Sequence, residues 1–210
     1  MRRLNDFSRH PIRFVEKLTR RYGEGLELRF SRYKYKRRVR EDRRKSFYVR
    51  IGDVDSGWLS QQLTNLAPDE ELALESRVRV GGRWRHIPMI DFYGMKQEHL
   101  GSVLSVLPKF SNTKPFVYFS GRCFHAYFPI LLTSREWLKF MGSVLLCNTP
   151  SRPRVVDQRW IGHRLVGGYA ALRWSRNTSR YKAMPTRVAV GKSQAIPKTK
   201  KRRLLTVAAA

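Results

Sequence analysis

Phe119-Ser120-Gly121-Arg122-Cys123-Phe124-His125-Ala126-Tyr127 is a turn between two aromatic strands. Apolar residues 116–119 lead into it and residues 124–130 lead out, and Gly121 permits the tight reversal. Side chains alternate along a strand, so His125 lies on the face opposite Phe124. Ser120 and Arg122 bring a hydroxyl and a guanidinium to the turn, two groups that donate to phosphate. A plain hairpin with a half-buried histidine would satisfy the same letters, so the turn alone fixes a strand pair and no more.

Outward from this hairpin, the chain alternates helices and short strands. Pro11 stands where a first helical turn begins, and Ile12, Val15, Leu18 and Tyr22 recur at helical spacing before Gly23 stops them. Leu26 to Phe30 and Phe47 to Ile51 alternate as strands. Trp58, Leu59, Leu63 and Leu66 predict a helix ended by Pro68. Leu72 to Val80 and Arg83 to Phe92 flank Gly81-Gly82 as a hairpin. A helix is predicted from about Lys96 to Leu107, and Ser134 is read as the N-cap of another carrying Trp137, Leu138, Met141, Val144 and Leu145. Polar residues 148–154 form a linker. A helix after Asp157 and strands at about 169–174 and 186–190 complete the folded part. This is an α+β protein with a mostly antiparallel sheet and flanking helices.

The 210 residues include 43 Lys and Arg against 16 Asp and Glu, a formal charge of +27, while 41% of residues are hydrophobic and 12% aromatic. That apolar content excludes a wholly disordered polybasic chain, and no apolar run reaches the roughly 18 residues of a membrane span. No secretory signal is expected from the N-terminal letters. Two cysteines, Cys123 and Cys147, make neither a zinc knuckle nor a disulfide framework, so an intracellular, cytoplasmic setting is expected. The charge calls for a polyanionic partner. Its densest run spans residues 29–50, where Arg32, Lys34, Lys36, Arg37, Arg38 and Arg40 interleave with Tyr33 and Tyr35. Cations for phosphates beside aromatic faces for bases suit a single strand of DNA or RNA. Residues 191–210 are expected to be a flexible basic tail, and residues 1–190 one domain.

Two further segments stand out beside the hairpin. Asp91 ends the apolar strand Ile87 to Asp91, where a carboxylate is fixed by the strand yet open to a divalent metal; taken alone, capping the next turn, a common use of Asp before Gly, is the favoured account. Asp157 follows Val155-Val156 and precedes, by a short helix, the basic cluster Leu172-Arg173-Trp174-Ser175-Arg176 and Lys182; by itself it reads as a helix N-cap followed by a strand with solvated arginines.

In this order, an acid at a strand end, Ser-Gly-Arg-x-x-His, Val-Val-Asp and then Leu-Arg-x-Ser, the sequence resembles the archaeo-eukaryotic primase superfamily over about residues 83–188. The resemblance implies an RRM-like sheet beside a smaller N-terminal α/β unit, and a nucleotidyltransferase using NTP or dNTP with Mg²⁺ or Mn²⁺. It implies Asp91 and Asp157 as metal ligands, His125 as a nucleotide contact and catalytic residue with them, Ser120 and Arg122 near the triphosphate, and Arg173, Arg176 and Lys182 as basic contacts. Tyr93 stands where the family has the second acid of Asp-x-Asp, and Cys123 replaces a glycine. Asp53, Asp55 and Glu98 are candidates to replace the missing acid. A primase-fold binder without synthesis and a basic structural protein of a ribonucleoprotein particle are the alternative expectations. With no helicase P-loop, unwinding would fall to a helicase or other replication partner.

Overall fold

Ile12, Phe14, Val15 and Leu18 are buried on one side of helix α1 (Ile12–Tyr22), which Gly23 ends at φ 74°. The structure, a computed structural model, describes residues 6–35, 43–94, 96–101, 104, 113–150 and 153–190. Strand β1 (Leu26–Lys34) outruns the predicted Leu26 to Phe30, and pairs antiparallel with β2 (Lys45–Arg50) along one edge. After a 3-10 turn at Ile51–Asp53, helix α2 (Ser56–Thr64) starts at Asp55, whose carboxylate accepts from Trp58 N at 2.7 Å.

The predicted strands at 72–80 and 83–92 are each divided. Strands β3 (Glu70–Glu75) and β4 (Arg77–Val80) share the other edge of β1, broken at Ser76. Ser76 is diverted from that ladder: its N–H donates to Ala170 O, and its carbonyl accepts from Ile87 N. The β4–β5 turn is the predicted Gly81-Gly82, both glycines at positive φ (54° and 72°). Strand β5 (Arg83–His86) stays in the first sheet, whereas β6 (Met89–Asp91) belongs to the second. Pro88, with no N–H to give a ladder, sits at the crossing.

A 3-10 turn at Gln97–His99 follows and continues into helical residues 100, 101 and 104; the rest of the helix expected at 96–107 lies outside the described residues. Strands β7 (Phe116–Phe119) and β8 (Phe124–Tyr127) form the quoted hairpin. Helix α3 (Ser134–Leu145) is capped by Thr133, one residue before the predicted Ser134, because Thr133 and Glu136 satisfy each other's backbone nitrogens in a capping box. Helix α4 (Gln158–Gly167) starts at Asp157; β9 (Ala171–Arg173) and β10 (Thr186–Arg187) are shorter than predicted.

Among the described residues the strands form two antiparallel sheets. The first runs β5-β4-β1-β3-β9 with β2 also on β1, and the second runs β10-β7-β8-β6. The sheet made mostly from the N-terminal half is therefore not the smaller one: it has six strands against four, and β9 returns from residues 171–173 to pair with β3. Beyond β6, an antiparallel bridge joins Phe92 to Val156 and extends the second sheet. One apolar core runs through both sheets, with Phe30 against Trp174 and Phe14 against Phe116 and Tyr127. Among the described residues no helix is long and apolar enough to cross a membrane.

Gly121 is at φ 101°, and a Cβ there would stand 2.8 Å from Ala183 N and 3.3 Å from Lys182 N. Gly121→Ala is expected to lower the unfolding free energy by about 1–3 kcal/mol. Gly162 is exposed on α4 and a Cβ there meets nothing within 4 Å. Gly162→Ala is expected to raise stability by about 0.5–1 kcal/mol. Urea unfolding of the two variants checks both signs.

Candidate functional site

Strand pairing brings the three residues singled out as catalytic into one row. Asp91 on β6 is directly opposite His125 on β8. On its other side, Asp157 N donates to Asp91 O at 3.3 Å and Tyr93 N to Val155 O at 3.0 Å. Residues directly opposite in antiparallel pairs share a face, so Asp157, Asp91 and His125 point the same way, while Ile90 and Phe92 turn into the core. Asn148 fixes the outermost segment: its side-chain carbonyl accepts from Val155 N and Val156 N at 2.8 and 3.0 Å, and its amide donates to Val156 O. Asp157 takes the N-cap role that the sequence suggests. One oxygen caps α4, accepting from Arg159 N and Trp160 N at 2.9 and 3.1 Å, and the residue also lines the cleft.

The cleft has a volume of about 1010 Å³. Its floor is the row of acids and His125; its walls come from β1, β9, α4 and residues 43–45 and 180–181. Arg32, Tyr33, Lys34 and Tyr35 line it as the basic run predicted, while Lys36, Arg37, Arg38 and Arg40 lie outside the described residues. Arg44 stacks on Tyr33 at 3.9 Å and Arg180 on Tyr35 at 3.5 Å. Arg122 is exposed at the rim. Ser120 is buried in the wall, its hydroxyl donating to Cys123 O at 2.9 Å to close the turn.

Arg173 is buried, and its guanidinium donates to the carbonyls of Ser120, Ser175 and Ala183 while stacking on Tyr181 at 4.0 Å. It reaches the cleft as a brace between β9 and the β7–β8 turn. Arg176 and Lys182 are not brought to the cleft wall: Arg176 donates to Tyr181 O, and Lys182 is exposed with its backbone against Gly121. Sequence reasoning missed Arg159, Trp160, His163 and Arg164 on α4, which line the cleft. Their spacing of one, four and five residues from Arg159 marks one side of a helix, and that signal was readable.

Burial, then the charge of Asp157, pushes the Asp91 carboxyl up to about 7 against the pull of Arg173 and Arg164. Burial and then Arg173 push His125 down to about 3, so it is neutral at physiological pH. Its Nε2 lies 3.7 Å from Asp91 Oδ1, and its buried Nδ1 has no hydrogen-bond partner. Burial raises the Cys123 thiol, which remains protonated near neutral pH. Tyr93 is 47% exposed, faces the Arg154 guanidinium at 5.8 Å and is not part of the cleft wall. None of Asp53, Asp55 and Glu98 lines the cleft; Asp55 caps α2, and Glu98 pairs with Lys96 and His99. Glu70 is the third carboxylate on its wall. Among the described residues no three His, Cys, Asp or Glu side chains converge as a metal cage.

Fold and site together define a two-sheet α+β protein with paired carboxylates on the floor of an arginine-rich cleft. A family model described as Archaeo-eukaryotic primase 1D-like, of the AEP-like type, matches residues 50–186, more than half of the chain, and the protein belongs to that family. No curated protein and no solved structure matches it.

The raised Asp91 makes a stability prediction for the metal-free protein. An unfolded aspartate releases its proton near 3.8 and the folded one near 7, so the folded state holds the extra proton between those values. Stability from this group therefore falls as pH rises through that window. His10, His86 and His125, pushed down to about 4, 4 and 3, act in the opposite sense, costing stability as pH falls below 6.5. Asp91→Asn removes only the first effect. In chelator-containing buffer the variant should melt above wild type at pH 8, and the gap should shrink or reverse by pH 4.5. An equal gap at both pH values would contradict the assignment.

Proposed function

We propose that the protein is a nucleotidyltransferase of the primase-polymerase kind, joining NTP or dNTP to the 3′-hydroxyl of a growing strand directed by a single-stranded DNA or RNA template. The observation that carries this reading is the row Asp157–Asp91–His125, set by strand pairing and facing a cleft walled by arginines and lysines. The second sheet supports an RRM-like core. Taken with the Val155–Asp157 segment, its order places the fourth strand beside the first, then the third, then the second, with helical segments after the first and third. Residues of α4 and of the first sheet line the cleft with Asp91 and His125 of this sheet.

Asp91 and Asp157 would hold one divalent cation, Mg²⁺ or Mn²⁺. The donor chemistry fits: these are hard carboxylate oxygens, and after burial the charge of Asp157 is the next cause that raises Asp91, a repulsion that a cation relieves. When bound, the cation would neutralise charge on the triphosphate as a phosphate ester bond forms and pyrophosphate leaves. The chain's own residues supply the remainder. Arg122 at the rim and the arginines of α4 gather the triphosphate, and His125, neutral and lining the cleft, offers it a hydrogen bond without adding charge. Arg173 holds the Ser120 turn at a fixed distance from β9. Tyr33, Tyr35 and Trp160 give the bases aromatic faces.

A second reading, nucleotide binding without synthesis, is favoured by one observation: Tyr93, at the position where the resemblance implies a second acid, is exposed and does not line the cleft. Extension assays separate the two. Asn caps helices as well as Asp does, so Asp157→Asn removes the charge and keeps α4. With template, labelled nucleotide and Mn²⁺, wild type should extend, and Asp157→Asn should fall at least about 100-fold. Nucleotide binding with no extension by wild type would select the second reading, and undiminished extension by Asp157→Asn would remove the site assignment.

A further inference from the structure

The face of the first sheet that carries Tyr33 into the cleft continues past it along β1 and β2. Cross-strand register pairs Ser31 with Ser46, Arg29 with Tyr48 and Glu27 with Arg50, and across the other edge Glu27 with Arg79 and Arg79 with Trp84. Arg44, on the cleft wall, donates to Ser31 Oγ at 3.3 Å, so cleft and face are continuous. Tyr48 lies four residues beyond Arg44, about 13 Å along an extended chain.

At the outer end, Tyr48 and Trp84 remain 47% and 37% exposed, among the largest aromatic surfaces of the described residues. Their ring centroids are 5.8 Å apart and tilted by 40°, although β1 and β4 separate their strands. Arginines back both rings: Arg77 stands 4.5 Å from the Trp84 ring, and Arg29 lies 5.7 Å from Tyr48 and 5.0 Å from Tyr169. Arg29 is held by buried Glu75 at 3.0 Å, which fixes the stack from beneath. Arg50 and Arg79 are exposed beside the rings.

We infer that this face is a second binding surface, a stacking platform for the stretch of single-stranded nucleic acid just outside the cleft. Bases would lie on Tyr48 and Trp84, with phosphates on Arg50, Arg77 and Arg79. Charge complementarity selects the occupant. A second copy of a chain with formal charge +27 is repelled, whereas exposed aromatic faces ringed by guanidinium groups meet both the bases and the phosphates of a strand. The inference rests on the proposed reading only for where the strand goes next; binding at the platform needs neither metal nor NTP.

The test titrates a labelled oligodeoxythymidine into the full-length protein, in chelator and without nucleotide. Tyr48→Ala with Trp84→Ala should weaken binding about tenfold or more, while Tyr48→Phe with Trp84→Phe, which keep the aromatic faces, should bind as wild type does. Trp84→Phe should also remove part of the tryptophan quenching that the oligonucleotide produces. Wild-type affinity in the double alanine variant would overturn the platform, as would an equal loss in the phenylalanine pair. Dimerisation by light scattering that the alanine pair abolishes would overturn it in favour of self-association. Wild-type extension is assayed separately, so a protein that binds through Tyr48 and Trp84 but never extends would refute the catalytic reading and leave the platform standing.

Discussion

A buried guanidinium holds the two halves of the site together. Arg173 leaves β9 in the first sheet and spends its donors on carbonyls of Ser120, in the second sheet's hairpin, and of Ser175 and Ala183. An arginine removed from water is costly unless its N–H groups are satisfied and its charge is balanced. Here the carbonyls and the Tyr181 ring meet the first requirement, and the acids on the cleft floor meet the second. The same charge opposes the rise of Asp91 and helps to keep His125 neutral. Cleft width and cleft electrostatics thus depend on one side chain, and Gly121 lets the Lys182–Ala183 backbone approach closely enough for it to work.

The acids are placed by backbone rather than by side-chain contacts. Asp91 sits between His125 and Asp157 because β6 pairs with β8 on one side and with the Asn148-bound segment on the other. The arrangement buries Asp91 beside a second carboxylate, and burial first, then that neighbouring charge, raises Asp91. A folded protein that keeps such a pair accepts a stability cost at the position where a cation or a proton would relieve it.

Local signals were legible in the letters. The spacing from Ile12 to Tyr22 gave α1, Gly81-Gly82 gave a turn, and Ser120-Gly121-Arg122 with His125 marked the hairpin. Asp91 and Asp157 were found because each follows apolar strand residues, although only pairing shows that they adjoin. What the letters concealed is non-local. Residues 83–92 read as one strand, yet the chain changes sheets at Pro88, since the Ser76 carbonyl and Leu132 draw the backbone of Ile87 and His86 out of line. The return of β9 to β3 crosses about half the chain and leaves no trace in periodicity. Arg176 and Lys182 were expected at the site because the resemblance implies basic contacts there; neither lines the cleft, and Arg176 donates to Tyr181 O. The α4 residues were missed although a helix was read after Asp157, because which side of that helix faces the acids is set by packing far along the chain.

The central claim is that Asp91 and Asp157 hold a divalent cation together with a triphosphate. Electron paramagnetic resonance of Mn²⁺, titrated with and without a non-hydrolysable nucleoside triphosphate, tests it most directly when wild type is set beside Asp157→Asn. The account predicts weak Mn²⁺ binding to wild type alone, much tighter binding with the nucleotide, and loss of that gain in the variant. Equal Mn²⁺–nucleotide binding by wild type and Asp157→Asn would contradict it.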